Sequence, residues 1–226
     1  MRKLMFLCRR RPDIGHDDYA SKVLVGHVPL ALLHHPTMRH YVVNIVDRAL
    51  IPGSPDIDSV AELSFDTLED YRERLYDSAE GEKIIHGDVV GFMGAADAYE
   101  CTAHVHKKPE DWEVGRTTPG VKMISGLKRK PGVSHDEFVD HWLHRHVPLA
   151  LEDAAGIPHY VTNVVDSKLS DGGEEFDGFA ELGFPSEAAM IAEFTGKPER
   201  AKVIAADNDK FIGSMQAWVG VEHPQK

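Results

Sequence analysis

Cysteine is scarce in this chain: Cys8 and Cys101 are the only two among 226 residues, too few for the disulfide framework of a small secreted domain. Both read as buried thiols packing as small hydrophobes, ahead of a catalytic role. Long apolar runs are also missing, and none approaches the roughly 20 residues that span a bilayer. The first apolar stretch, Leu4 to Cys8, is short and bracketed by Arg2-Lys3 and Arg9-Arg10-Arg11, unlike the core of a secretory leader. Positive charge is in deficit. Lys plus Arg number 25 against 37 Asp plus Glu, a net charge of −12, which disfavours nucleic acid and membrane surfaces as partners. No Gly-rich phosphate loop and no Gly-x-Ser-x-Gly elbow occurs, so nucleotide and serine-hydrolase chemistry have no basis here. The expected location is the cytoplasm.

What the sequence does contain is an internal repeat. Pro12 matches Pro131, an offset of 131 − 12 = 119, and the same offset carries His16-Asp17 onto His135-Asp136 and His27-Val28-Pro29-Leu30-Ala31-Leu32 onto His146-Val147-Pro148-Leu149-Ala150-Leu151. It also carries His40-Tyr41-Val42 onto His159-Tyr160-Val161, Asn44 onto Asn163, Ala61-Glu62-Leu63 onto Ala180-Glu181-Leu182 and Phe92 onto Phe211. Roughly a third of the aligned positions are identical, far above chance. Residues 1–100 therefore read as one repeat and 121–226 as a second. Residues 101–120, where Lys107-Lys108-Pro109-Glu110-Asp111 and Thr117-Thr118-Pro119-Gly120 show no period, read as a linker.

The second repeat gives the clearer pattern. Val121 to Lys128 predicts a strand ending in a Pro131-Gly132 turn. Ser134-His135-Asp136-Glu137 predicts a capping box, and Phe138, Trp142 and His146 share one helical face until Pro148 stops the helix. His159–Val165 and Gly178–Phe184 predict a hairpin, Glu187 to about Ala205 a helix broken at Gly196-Lys197-Pro198, and Phe211–Val221 a closing strand. The order β-α-β-β-α-β is ferredoxin-like, so the fold class is α+β with two such repeats. One sheet face of each repeat stays bare until it meets a second sheet. The pattern leaves open whether that sheet belongs to the same chain or to a homodimer partner.

Leu127-Lys128-Arg129-Lys130-Pro131-Gly132, Phe138, Trp142, His146-Val147-Pro148-Leu149-Ala150, His159-Tyr160, Asn163 and Asp177-Gly178-Phe179-Ala180-Glu181 together resemble the EthD family, of the dimeric α+β barrel superfamily. The first repeat is similar but departs at Val23, where the second has Trp142, and at Gly26, opposite Arg145. The resemblance implies antiparallel sheets pairing into an α+β barrel. It also implies kinship with cofactor-free cyclases, dehydratases, isomerases and monooxygenases of phenolic or polyketide-like molecules, with haem binders elsewhere in the superfamily.

Fourteen histidines stand out in so acidic a chain. His146, at a helix end and facing the sheet, is the first candidate for a general acid/base, with His27 its equivalent. The plainer reading is a histidine that hydrogen-bonds a carbonyl and fixes the turn. Tyr160 and Asn163 are candidates to hold an oxyanion and Glu181 to accept a proton, against bland roles in core packing, an edge hydrogen bond and an exposed strand. Trp142, Phe138, His159, Tyr41 and Asn44 are candidates for lining a substrate pocket. His141-x-x-His144-x-His146 places residues 141 and 146 on different α-helical faces, so no metal site is expected. His34-His35 and His104-x-His106 read as solvated. A cofactor-independent lyase, isomerase or cyclase on a hydrophobic oxygenated small molecule is the leading expectation, with no cofactor. A non-catalytic ligand carrier and a haem-dependent oxidoreductase or dehydratase are the alternatives.

Overall fold

The computed structural model describes residues 1–108, 112–152 and 155–226; Pro109, Glu110 and Asp111 of the expected linker lie outside the described residues. Among the described residues eight strands form: β1 (Arg2–Arg10), β2 (His40–Ala49), β3 (Ser59–Phe65), β4 (Met93–Lys107), β5 (Val121–Arg129), β6 (His159–Lys168), β7 (Gly178–Phe184) and β8 (Ile212–Pro224). They close one barrel in the order β1-β3-β2-β8-β5-β7-β6-β4. Every pairing is antiparallel. Each half thus contributes a four-stranded sheet, and the bare faces meet within the chain along the β2/β8 and β4/β6 seams. A partner molecule is not needed to complete the barrel.

The registers of the two halves coincide at the repeat offset. Lys3 lies opposite Ser64 and Lys122 opposite Gly183, where 183 − 64 = 119. Tyr41 pairs with Leu63 as Tyr160 pairs with Leu182. One expectation fails at the junction: β4 continues to Lys107, so Cys101–Lys107 is strand and not linker. Its ladder to β6 supplies the pairing that the local sequence pattern does not announce.

Helices cover the outside of both sheets. In the first half α1 (His16–Ser21), a π turn (Lys22–His27) and α2 (Val28–His34) run on without a break, followed by α3 (Leu68–Arg72) and α4 (Ala79–Val90). In the second half α5 (His135–His141), a π turn (Trp142–His146) and α6 (Val147–Leu151) precede α7 (Glu187–Thr195) and α8 (Pro198–Phe211). The Ser134/Glu137 capping box opens α5 as expected. Pro148 does not stop the helix. It sits in the first turn of α6, just past the π turn. A proline inside an α-helix lacks an N–H and collides with the carbonyl four residues back, and the wider i→i+5 turn absorbs both defects.

Three cores result, one between the helices and the sheet of each half and a third inside the barrel around Met5, Tyr99, Phe179 and Trp218. Because side chains alternate along a strand, neighbouring residues of β6 belong to different cores.

Candidate active site

The π turn shapes the second-half site. On an α-helix of 3.6 residues per turn, residues five apart diverge by roughly 140°. The turn over Trp142–His146 instead brings His141 and His146 to the same carboxylate. His146 Nδ1 lies 2.9 Å from Asp207 Oδ2 and His141 Nε2 3.1 Å from Oδ1, with Lys210 Nζ 3.0 Å from Oδ1. The expectation that 141 and 146 point apart is therefore corrected. Both rings pack on Phe211, at centroid distances of 4.7 Å for His141 and 5.3 Å for His146.

Burial disfavours the ionised form of Asp207, but Lys210, His146 and His141 outweigh it and hold the carboxyl below its ordinary range. An ionised carboxylate only accepts hydrogen bonds, so the shared proton sits on His146 Nδ1 and leaves Nε2 with a free lone pair. Burial lowers the His146 pKa, and Asp207 offsets that only in part. The imidazole is accordingly neutral at neutral pH, with Asp207 beside it to stabilise a proton gained in passing.

His146 lines a cleft of about 290 Å³ between helices and sheet, walled by Trp142, Leu127, Ile157, Tyr160, Leu182 and Ile204. Arg200 closes one side, its guanidinium held 2.7 Å from Glu193 and 2.6 Å from the Ala150 carbonyl. Burial raises the Tyr160 pKa, with Trp142 beside its hydroxyl opposing weakly, so the phenol stays a donor.

The first half holds a smaller version. His27 Nδ1 lies 2.9 Å from Asp88 Oδ2, and burial likewise lowers the His27 pKa against the pull of Asp88. The cleft is about 240 Å³ and includes Tyr41, Tyr19, Cys8 and His35. Tyr19 shares a 2.7 Å hydrogen bond with Ser59, and burial pushes the Cys8 thiol up to about 11, far from a thiolate. His35 is buried with Nδ1 3.2 Å from the Leu75 carbonyl, and His106 lies 2.9 Å from the Thr162 hydroxyl, so neither is simply solvated.

Asn163, Glu181 and His159 lie on the opposite face of the sheet from Tyr160 and His146, inside the barrel. The structure therefore does not gather the expected constellation into one site. Lys3 Nζ lies 2.6 Å from both Glu62 and Glu181. Lys122 bonds Glu181 and lies 2.8 Å from Glu62 and 2.7 Å from Glu222. Asn44 donates to Glu62 and Asn163 to Glu181, each at 2.7 Å. Burial opposes the charge on Lys122 but the three carboxylates prevail and hold it as an ammonium; burial opposes the charge on Glu181 and the two lysines prevail. Glu181 is thus an ion-paired anion rather than an exposed strand carboxylate. Phe138 is fully buried against Trp142 and Phe211, a wall of the core behind the cleft.

The sequence reading passed over Asp207, Asp88, Lys3 and Lys122. A signal was present, since Asp88/Asp207 and Lys3/Lys122 are identical pairs at the repeat offset of 119. Glu222 carried none, because its counterpart in the first half is Ala103. Among the described residues, His159, Glu181 and Glu222 form a group with metal-ligating atoms close together.

Residues 130–214, within the second half, match the EthD domain model. No curated protein matches the sequence. Among solved structures, an anthrone oxidase-like protein aligns over 99% of this chain and 92% of its own length, with TM-score 0.67 and 13% identity. A candidate monooxygenase from Fusobacterium nucleatum subsp. nucleatum covers 100% of this chain and 94% of its own, with TM-score 0.64 and 9% identity. A candidate chlorite dismutase reaches TM-score 0.53 at 12% identity, over 96% of this chain and 93% of its own. At these identities the likeness establishes the α+β barrel fold.

Proposed function

We propose that the second-half cleft is the active site of a cofactor-independent acid/base enzyme, a lyase, isomerase or cyclase, acting on a hydrophobic oxygenated small molecule of phenolic or polyketide-like type. The observation that carries this reading is the His146–Asp207 pair at 2.9 Å, which presents a neutral imidazole to a largely apolar cleft. In such a site Nε2 takes a proton from a phenolic O–H or from a C–H next to a carbonyl. The electron pair moves onto the substrate oxygen, where the Tyr160 hydroxyl donates to the oxyanion. The imidazolium, paired with Asp207, then returns its proton. Delivery to a different carbon isomerises the substrate, and delivery to a leaving hydroxyl releases water. Trp142 and Leu182 supply the apolar surface that holds the ring system.

Haem fits this cleft poorly. A histidine with one ring nitrogen tied to a carboxylate suits an axial ligand, but Phe211 packs on the His146 ring with Phe138 and Trp142 behind it, and about 290 Å³ is small even for a drug-sized ligand. No step is derived through it, and haem titration is expected to give no Soret shift.

The test is a mass-spectrometric comparison of cell extracts incubated with wild type, His146→Ala or His27→Ala, after circular dichroism shows each variant folded. A metabolite consumed by wild type and His27→Ala but not by His146→Ala supports the reading. Its mass change separates water loss, isomerisation and the oxygen gain suggested by the names of the structural relatives. Consumption by none of the three supports a carrier, and equal consumption by all three removes His146 from the chemistry.

A further inference from the structure

The barrel interior has a property that the outer clefts do not explain. Lys3 and Lys122 face Glu62, Glu181 and Glu222, so 2 positive charges meet 3 negative ones. The repeat accounts for the balanced part, since Lys3/Lys122 and Glu62/Glu181 are equivalent pairs. Glu222 is the unmatched carboxylate, at a place where the first half has Ala103. It faces a cavity of about 490 Å³ at one mouth of the barrel, whose lining also includes His159, Phe184, Lys107, Lys108 and Thr118, and the Thr118 hydroxyl donates to Glu222 Oε2 at 2.7 Å.

His159 projects into the same cavity and is only 8% exposed, yet among the described residues its ring has no hydrogen-bond partner. Its ring lines the cavity, so a ring nitrogen is available to a ligand or water there. The ring nitrogens of His159 and the carboxylate oxygens of Glu181 and Glu222 come within 4.8 Å of one another. One imidazole nitrogen and two carboxylate oxygens make a hard-to-borderline donor set of a kind that zinc and cobalt accept.

We propose that this barrel mouth binds a divalent transition-metal cation through His159, Glu181 and Glu222. Lys122 already bonds both carboxylates, but each carboxylate offers about four lone-pair positions, and Lys122 keeps Glu62 as a partner at 2.8 Å. The ammonium and the cation therefore compete for one pair of carboxylates, and affinity is limited by that competition. The site lies on the opposite face of β6 from Tyr160, so it stands or falls independently of the acid/base cleft.

Cobalt(II) titrated into the full chain, followed by calorimetry and visible absorption, tests the proposal. One equivalent per chain with d–d bands is expected. His159→Ala should weaken it at least tenfold with the circular dichroism unchanged. Lys122→Met should tighten it at least tenfold, because the competing ammonium is gone, and the added metal should raise the melting temperature of that variant. Should Lys122→Met fail to fold, Glu222→Gln supplies the second arm and should weaken binding at least tenfold. No stoichiometric binding to wild type, or binding unchanged in His159→Ala, overturns the proposal and assigns any observed affinity to surface histidines.

Discussion

The two outer clefts carry the same histidine–aspartate pair at the same 2.9 Å separation, yet they differ in what surrounds it. In the second, Trp142 walls the cavity, and His141 and Lys210 clamp the far oxygen of Asp207. In the first, these places are taken by Val23, Lys22 and Gly91, and Asp88 has only His27 among them. The pair itself therefore follows from the fold, since a π turn and the final helix of each half bring the two residues together. On the proposed function, what sets the second cleft apart is what surrounds the pair: a fixed carboxylate, a fixed tautomer and an aromatic wall.

The largest expected contrast is between His146→Ala and His27→Ala. The first should lower kcat/KM by about 10²–10⁴, the usual contribution of a positioned general base, while the second changes it by less than about threefold, on the order of a distant substitution. Comparable losses in both would break the comparison and make the clefts equal partners. Asp207→Asn should cost at least about tenfold by releasing the tautomer, whereas Asp88→Asn leaves turnover near wild type. Calorimetry and steady-state kinetics on the two asparagine variants decide between a positioning and a purely structural carboxylate.

Exchanging the aromatic wall sharpens the point. Trp142→Val should destabilise the fold by roughly 2–4 kcal/mol through the cavity it leaves and raise KM. Val23→Trp should cost about 1–3 kcal/mol by overpacking the smaller cleft and leave KM unchanged. Denaturant melts and KM measurements read both.

The smallest effect is on pH dependence. The His146 pKa lies below the ordinary value of 6.5, so the base form predominates above that pH and kcat/KM should fall only on an acid limb below it. Asp207 raises this pKa, so Asp207→Asn should move the limb to still lower pH. Stability follows the same sign. The unfolded histidine binds protons more readily, so the stability contributed by neutral His27 and His146 is full above 6.5 and is lost as pH falls through their folded values. An acid limb above 6.5 would contradict the assignment.

Most of the architecture was legible because its signals are local. The capping box at Ser134, the alternation of β6 and β7 and the break at Gly196-Lys197-Pro198 each depend on a few neighbouring residues. The site was legible only in part. His-Val-Pro reads locally as a helix stop, and nothing in that string announces that a π turn will carry the helix past Pro148 and swing His141 beside His146. The period of 2 correctly separated Tyr160 from His159 and Asn163, but which face would meet His146 depends on where the helices pack. Lys3 looked like a charged flank of the N-terminus, and it is half-buried because β1 forms part of the barrel wall beside β3 and β4.

The central claim is that His146 stands neutral at pH 7 with its proton on Nδ1 and its Nε2 lone pair open to the cleft. Long-range ¹H–¹⁵N correlation spectra of the histidine rings, assigned by comparison with His146→Ala, observe that state directly. A neutral His146 ring with Nδ1 protonated, shifting toward the other tautomer in Asp207→Asn, is the result this account predicts. An imidazolium at pH 7, or a neutral ring already protonated on Nε2, would contradict it.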